Sequence, residues 1–249
     1  MAGILEVCVD SLASARAAIA GGADRLELCS ALVIGGLTPY AELLKQIRDE
    51  SSIPIRCLMR PRAGDFLYSR EEIQMMAKQI YALRDLGADG FVIGCLTVEG
   101  YLDRVAMAPL LDAAEGTDIT LHRCIDVSRN PCRTYLDAIE LGIDTVLTSG
   151  AQSSCLQGME TIGKLLNLRD AVHGPEVLIG AGVNAKVITT IREALPQARA
   201  FHMSGKQDIE SRMLFRRDGV PMGAPGFDEW RIPQTNPDEV AAAKQALNA

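Results

Sequence analysis

A short apolar segment that ends in cysteine occurs twice within the first thirty residues, as Ile-Leu-Glu-Val-Cys and, 21 positions later, as Arg-Leu-Glu-Leu-Cys. Each segment is typical of a β-strand, and each carries one glutamate among apolar residues, Glu6 and Glu27. A carboxylate in such a place needs a partner that offsets its desolvation, or it has a chemical role. Because side chains alternate between the two faces of a strand, Cys8 and Cys29 share the face of their glutamates.

The two thiols are candidate metal ligands. Neighbouring strands lie about 4.8 Å apart, and a stagger of one residue places Cys8 and Cys29 about 6 Å apart at the Cα atoms. Two thiolates at that separation can hold a soft monovalent ion such as Cu(I). Alternatively, both are small apolar core residues, as free cysteines usually are. A hard-metal site on Glu6, Glu27 and His122 is a further alternative.

Charged residues also follow other short apolar segments. In a parallel barrel, the residues at the carboxyl ends of the strands form the active site. There, Glu27 or Glu6 could serve as general base and His122 as acid, with Arg60 and Arg123 holding an anion. The alternative is a closed Glu–Arg network that only joins the strands. The candidate catalytic residues are Glu6, Glu27, Arg60, His122, Arg123 and Asp126.

A candidate phosphate site follows the seventh apolar segment. Gly180 and Gly182 precede a predicted helix, and helix N-termini after strand seven of such barrels often bind phosphate. Ser204 in the next loop and Arg62 complete the candidate anion-binding set. Alternatively, the glycines only form tight turns.

Composition narrows the class of protein. The 249 residues are 48% apolar but only 4% aromatic, so Ala, Leu, Ile and Val must fill a large core. A net charge of −7 argues against nucleic acid or a membrane surface as partner. The seven cysteines include no Cys-x-x-Cys pair, and neither a leader nor a membrane span is recognisable. We therefore expect a cytoplasmic protein with reduced thiols.

The regular alternation of predicted strands and helices along the chain predicts the fold. Eight short apolar strands alternate with eight helices at intervals of about 25 to 30 residues, which favours a closed (β/α)8 TIM barrel, an α/β fold, as a single domain over residues 1–249. Gly-Ala-Asp at 22–24 and 87–89 and Gly-Ile-Asp at 142–144 recur as helix-to-strand turns. An open sheet is disfavoured because no glycine-rich phosphate motif follows the first strand.

Several helix boundaries can be predicted from individual residues. Ser69 with Glu72 predicts a capping box. Thr38 is expected to cap a helix that begins at Pro39. Pro109 is expected to interrupt or kink a helix over residues 102–115.

Residues 204–237 break the alternation. This segment is predicted to be an insertion between the last strand and the last helix, with a small hairpin around Asp218 and Gly219. It could cover the barrel mouth or make a contact in a homodimer or higher homo-oligomer.

Five motifs resemble one known family. The chain reads EVCVDS at 6–11, GGADRLELC at 21–29, GGLTP at 35–39, MRPRAGDF at 59–66 and LTSG at 147–150. In these motifs it resembles the copper homeostasis protein CutC family over nearly its whole length, with departures such as Ala63 and Cys124. The resemblance implies a barrel, a cytoplasmic location, a link to copper and Cu(I) binding by Cys8 and Cys29.

Two functional hypotheses follow. The first is copper homeostasis through Cu(I) binding. The second is a TIM-barrel enzyme of lyase or isomerase type that acts on a phosphorylated or carboxylated small metabolite, and whether the chain is an enzyme stays open. A small anionic ligand is the expected partner in the second case.

Overall fold

Short apolar strands alternate with helices along the chain, and the strands close into a barrel. The computed structural model describes residues 3–217, 219–220, 222–223, 226 and 228–249. Eight parallel strands pair in chain order, and the first also pairs with the eighth, which confirms the predicted (β/α)8 fold. The strands are β1 (Ile4–Val9), β2 (Arg25–Leu28), β3 (Ile55–Leu58), β4 (Gly90–Ile93), β5 (Asp118–Leu121), β6 (Thr145–Thr148), β7 (Glu176–Ile179) and β8 (Ala200–Met203).

In the part of the chain that the structure describes, eight helices cover the outside of this barrel. They are α1 (Leu12–Ala20), α2 (Ala41–Glu50), α3 (Arg70–Asp85), α4 (Arg104–Ala113), α5 (Pro131–Glu140), α6 (Met159–Val172), α7 (Ala185–Ala194) and α8 (Pro237–Asn248). Ser69 and Glu72 form the predicted capping box at the start of α3. Two 3-10 turns, Leu32–Ile34 and Arg123–Val127, lie in loops at the carboxyl ends of β2 and β5.

The prediction that Thr38 caps α2 is wrong. The helix begins at Ala41, and its N-cap residue Tyr40 makes no side-chain cap. The Thr38 hydroxyl instead accepts from the Arg60 backbone N–H at 3.0 Å and donates to the Arg60 carbonyl at 3.2 Å. A tertiary partner therefore replaces the local cap and ties the loop before α2 to the end of β3.

Of the two effects predicted for Pro109, an interruption of the helix does not occur, and a kink stays a prediction. Pro109 lies inside α4, which runs from Arg104 to Ala113 without a break. Proline removes the hydrogen bond to the carbonyl four positions earlier, which belongs to Val105. Val105 is exposed, so water can satisfy that carbonyl.

Three aspartates at helix-to-strand turns clamp pairs of strands together at the amino-terminal face of the barrel. Asp24, Asp89 and Asp144 each accept a hydrogen bond at Oδ2 from the backbone of the preceding strand, at 2.6, 2.7 and 2.7 Å. Each also donates its own backbone N–H to the same partner residue. The partners lie on β1, β3 and β5, and are Leu5, Ile55 and Ile119. The recurrent turns therefore join β1 to β2, β3 to β4 and β5 to β6.

The two faces of each strand have different neighbours. On β1, Leu5, Val7 and Val9 are fully buried in the apolar layer shared with the helices. Glu6 and Cys8 alternate with them and face the barrel interior, where the opposed residues of the neighbouring strands include charged groups.

Much of the barrel interior is polar. Arg56 on β3 is buried and reaches across the interior. Its Nη1 donates to the Thr145 hydroxyl at 2.9 Å and also to the Thr120 hydroxyl, and its Nη2 pairs with Asp118 at 3.0 Å. One guanidinium thus joins β3 to β5 and β6.

An exposed hairpin occupies most of the predicted insertion. Strands β9 (Lys206–Glu210) and β10 (Arg231–Thr235) pair antiparallel, outside the barrel sheet. The apolar side chains of Met213, Leu214 and Phe215 are exposed. The hairpin turn predicted around Asp218 and Gly219 lies partly outside the described residues, because Asp218 is not among them.

Candidate functional site

Strand register brings a thiol, a carboxyl group and an imidazole together at the carboxyl end of the barrel. Pairing of β1 with β2 places Cys8 opposite Glu27 and Glu6 opposite Arg25. Pairing of β1 with β8 places Glu6 opposite His202. One ligand atom from each of Cys8, Glu27 and His202 lies within 4.8 Å of the other two. These residues form the thiol–imidazole group.

Glu6 holds the imidazole of this group in place. His202 Nδ1 lies 2.8 Å from Glu6 Oε1, and its Nε2 lies 3.8 Å from Glu27 Oε2. Burial alone would raise the pKa of Glu6, but Arg25 and the hydrogen bond from His202 lower it to about 2. Glu6 is therefore a carboxylate, and it accepts the Nδ1 proton, while Nε2 lies on the side of Glu27. A carboxylate behind a histidine is the usual support of a metal-binding imidazole.

The neighbours of His202 raise its pKa despite its burial. Burial lowers the pKa of this imidazole, but Cys8, Glu27 and Glu6 outweigh burial and raise the pKa well above its usual value. An ion that binds at Nε2 therefore competes with a proton for the same lone pair.

Cys29 lies beside this group but has a different partner. Its thiol donates to Glu27 Oε2 over 3.4 Å, and it is fully buried. Burial, with the neighbouring carboxyl group of Glu27, raises the pKa of Cys29 well above its usual value. Cys29 is therefore held as a neutral thiol, and joint metal binding by Cys8 and Cys29 stays a prediction.

The two glutamates have opposite acid–base properties. Burial raises the pKa of Glu27, and the nearby carboxylate of Glu6 adds to this effect. A carboxyl group with a raised pKa suits a general base or acid, whereas the ion-paired Glu6 is a weak base. For the enzyme hypothesis, Glu27 is thus the stronger base candidate.

His122 lies at the end of β5 and is 4% exposed. Its Nδ1 accepts from the Cys124 backbone N–H at 3.2 Å, and its ring packs on Phe66 with 4.6 Å between centroids. Burial and the neighbouring Arg60 lower the pKa of His122 to about 3. A neutral imidazole can donate a hydrogen bond, but it does not serve as an imidazolium acid. The space for its ring depends on Gly94, where a Cβ would lie 2.6 Å from His122 Cε1.

Arg60 uses its terminal nitrogens to hold loops. Nη1 donates to the carbonyls of Ile34 and Gly36, both at 3.0 Å, and Nη2 donates to the Gly64 carbonyl at 3.2 Å. These bonds draw the loops after β2 and β3 together beside the mouth.

Arg123 and Asp126 form a closed hydrogen-bonded unit with the loop after β6. Arg123 donates to Asp126 at 2.8 Å and to the Ser149 hydroxyl at 2.8 Å. Asp126 also accepts from the Thr148 hydroxyl at 2.6 Å and from the backbone N–H groups of Ser149 and Ala151 at 2.9 and 3.0 Å. With all these hydrogen bonds, the Asp126 carboxylate fixes the loop after β6, and it is not part of the thiol–imidazole group.

The predicted anion-binding residues have separate hydrogen-bond partners, and their hydrogen bonds do not meet at a common site. Arg62 pairs with Glu72 at 2.7 Å and Asp65 at 3.0 Å. The Gly180 backbone N–H donates to the Thr148 carbonyl at 2.9 Å, so it is engaged within the barrel. Gly182 is in the left-handed backbone region that favours glycine, with φ of +83°. The Ser204 carbonyl accepts from the Thr235 hydroxyl.

Three residues of the interior were missed as site residues by the sequence reasoning: Arg25, Arg56 and His202. The signal was available for Arg25, which lies two positions before Glu27 and therefore on the same strand face. His202 is a polar residue within the last barrel strand, and the register of β8 against β1 places it opposite Glu6.

The fold and this group together define the class: a (β/α)8 barrel whose carboxyl-terminal mouth holds a buried thiol, imidazole and carboxyl group. The family model of the CutC family matches residues 3–207, so the chain belongs to the CutC family. The family protein CutC of Porphyromonas gingivalis is 41% identical over 248 residues and covers 99% of both chains. The family protein CutC of Vibrio campbellii is 39% identical over 246 residues and covers 98% of both chains.

A solved structure agrees with this assignment. The putative copper homeostasis protein CutC from Streptococcus agalactiae superposes with a TM-score of 0.76 at 25% identity. The match covers 81% of this chain and 98% of that chain. Within the described residues, no helix has the length and apolar character needed to cross a membrane.

Proposed function

We propose that this protein binds Cu(I) at the carboxyl end of the barrel and acts in copper homeostasis, the role named for the Streptococcus agalactiae relative. The proposed ligands are Cys8 Sγ and His202 Nε2. The observation that carries the proposal is the mutual distance of at most 4.8 Å among the ligand atoms of Cys8, Glu27 and His202.

The donor set fits a soft ion. A thiolate is a preferred ligand of Cu(I), and an imidazole also suits copper, whereas a carboxylate suits harder ions. Metal–ligand bonds of about 2.3 Å to sulfur and about 2.0 Å to imidazole nitrogen, as in zinc sites, allow up to about 4.3 Å between the two ligand atoms. The spacing of the ligand atoms therefore needs little adjustment to hold an ion. Glu6 holds the His202 ring in place through its hydrogen bond with Nδ1.

Competition titration with a chromophoric Cu(I) chelator, under anaerobic reducing conditions at neutral pH, tests the proposed ligands. Cys8→Ser should weaken Cu(I) binding by at least about 100-fold, because a hydroxyl is a poor ligand for a soft ion. His202→Asn should weaken it by about 10- to 100-fold.

Two other cysteines provide controls. Cys132 lies on α5 outside the barrel interior, and Cys132→Ser should leave the affinity unchanged. Cys29→Ser should change it by less than about threefold if Cys29 only donates to Glu27. An unchanged affinity in Cys8→Ser would disprove the site. A loss in Cys29→Ser as large as in Cys8→Ser would replace His202 by Cys29 as the second ligand.

A further inference from the structure

Further unsatisfied polar groups lie on the segments that follow β3 and β5 at the carboxyl end of the barrel. Among the described residues, five buried side-chain nitrogen or oxygen atoms have no hydrogen-bond partner, and three of them are Arg60 Nε, Tyr68 Oη and His122 Nε2. Arg60 lies 5.5 Å from the Phe66 ring centroid, and the His122 ring packs on the same ring. We call Arg60, Phe66, Tyr68 and His122 the Phe66 cluster.

His122 contributes a fixed donor to this cluster. Since its Nδ1 accepts from the Cys124 backbone, the proton of the neutral ring is on Nε2. That N–H is buried without an acceptor, which is unfavourable and which a bound oxygen atom would relieve.

Arg60 contributes positive charge. Its terminal nitrogens bond only to neutral backbone carbonyls, and among the described residues it has no carboxylate within 4.0 Å. Its Nε–H is buried and unused. A half-buried guanidinium without a counter-ion favours an anion nearby.

Tyr68 adds a hydroxyl that can donate. Its ring lies under the Arg62 guanidinium at 5.2 Å, and its hydroxyl has no partner. Burial, with the neighbouring Cys95, raises the pKa of Tyr68, so its proton is retained at neutral pH.

The segment that carries Arg60 and Tyr68 is held in place by backbone hydrogen bonds. The Phe66 carbonyl accepts from the Leu96 backbone N–H at 2.8 Å, and the backbone of Arg60 is paired with Thr38. Because these backbone positions are fixed, binding of a ligand there costs little conformational entropy.

We infer that the Phe66 cluster binds a small oxyanion, a carboxylate or a phosphate group, whose oxygens accept from His122 Nε2–H and Arg60 Nε–H, with the Tyr68 hydroxyl as a third donor. All three groups can donate and one carries positive charge, so the complementary ligand is an anionic acceptor. The inference is independent of copper, and binding can be measured without turnover.

The test follows the His122 Nε2–H resonance in ¹⁵N-labelled protein while inorganic phosphate or acetate is added, with chloride at equal ionic strength as control. A saturable shift with phosphate or acetate, and none with chloride, is expected. The anion with the tighter saturation identifies phosphate or carboxylate as the favoured class. A resonance that stays constant up to about 50 mM of both anions would overturn the inference and leave water as the partner.

Tyr68→Phe separates binding from folding, because it removes an oxygen that has no partner in the free protein. The variant should keep the parent melting temperature or exceed it, and its Kd for the anion should rise about 3- to 10-fold. Tyr81→Phe on α3 is the matched control, since Tyr81 also packs against an arginine, Arg84, but lies on the outer surface. Equal Kd values for Tyr68→Phe and Tyr81→Phe would remove Tyr68 from the site.

Discussion

Glu6 and Glu27 occupy equivalent positions in two similar sequence segments, yet their acid–base properties diverge. Glu6 faces Arg25 and His202, which lower its pKa, whereas burial raises the pKa of Glu27. The registers of β1 with β2 and with β8 cause the difference, because they place Arg25 and His202 opposite Glu6 and Cys8 opposite Glu27. The same registers give one glutamate a supporting role and leave the other as a reactive candidate.

The neutral His122 makes stability depend on pH. Its pKa is lowered from 6.5 to about 3 by burial and Arg60, so between these values the unfolded chain takes up a proton that the folded protein does not. The folded state should therefore lose about 2 kcal/mol from this residue on going from neutral pH to pH 5. Urea unfolding at several pH values measures this loss.

His122→Asn provides the control for the pH dependence. Asparagine can still accept from the Cys124 backbone N–H, but it does not titrate. Its stability should vary less between pH 5 and 7 than that of the parent protein. Equal slopes in the two proteins would show that His122 is not the group responsible.

Part of the site could be predicted at the level of single residues. Glu6, Cys8, Glu27 and His122 were recognised because polar residues inside apolar strands are unusual. Their partners were not, because the contact of Glu6 with His202 joins residues 196 positions apart and depends on the register of β1 against β8, which no local pattern indicates. The role of Asp126 in fixing the loop after β6 could not be predicted either, because its hydrogen-bond partners in that loop are more than 20 positions away in the chain.

At the level of elements, the three clamping aspartates give the barrel a period of two strands. Asp24 also forms an ion pair with Lys244, and Asp89 forms one with Arg48. Of the three, Asp144 is therefore the residue whose substitution removes the hydrogen bond to the backbone without also removing such an ion pair. Asp144→Ala should lower the free energy of unfolding by about 1–2 kcal/mol, since a carboxylate-to-backbone hydrogen bond is lost. Denaturant midpoints measure this effect.

Asp144→Asn removes the negative charge but keeps a hydrogen-bond acceptor, because an amide oxygen can still accept from the Ile119 backbone N–H. It should recover part of the lost stability. Cu(I) affinity should stay unchanged in both variants, because Asp144 precedes β6 at the face opposite the thiol–imidazole group. A loss of affinity without unfolding would contradict this separation of the two faces.

Sequence patterns predicted strands and helices well where local signals and tertiary contacts agree. Ser69 and Glu72 cap α3 as expected, because both capping partners lie within the same turn. Thr38 does not cap α2, because the backbone of Arg60 competes for its hydroxyl. Strands β9 and β10 were missed individually, since most of their residues are exposed and lack the apolar alternation of a buried strand.

For the whole molecule, the exposed hairpin offers a test of the predicted oligomer contact. Arg212, Arg216 and Arg217 are exposed beside it, so brief trypsin treatment should cleave there first. The two fragments should stay together, because α8 packs against α1, α7 and β1. Size-exclusion chromatography measures both outcomes.

If the hairpin holds subunits together, the nicked protein should elute as a smaller particle than the intact one. An unchanged elution volume would show that the subunit contact does not require an intact chain at residues 212–217. Separation of the fragments would instead show that α8 depends on its covalent link.

The guanidinium of Arg56 inside the barrel has a consequence for how stability varies with temperature. Exposure of apolar surface raises the heat capacity of unfolding by about 0.45 cal/K/mol per Å², whereas exposure of polar surface lowers it by about 0.26. A barrel interior that holds Arg56, Glu6, Arg25 and two threonines therefore contributes less heat capacity than an interior of Val, Ile and Leu. The stability curve of this protein should be flatter than that of a barrel of equal size with an apolar interior.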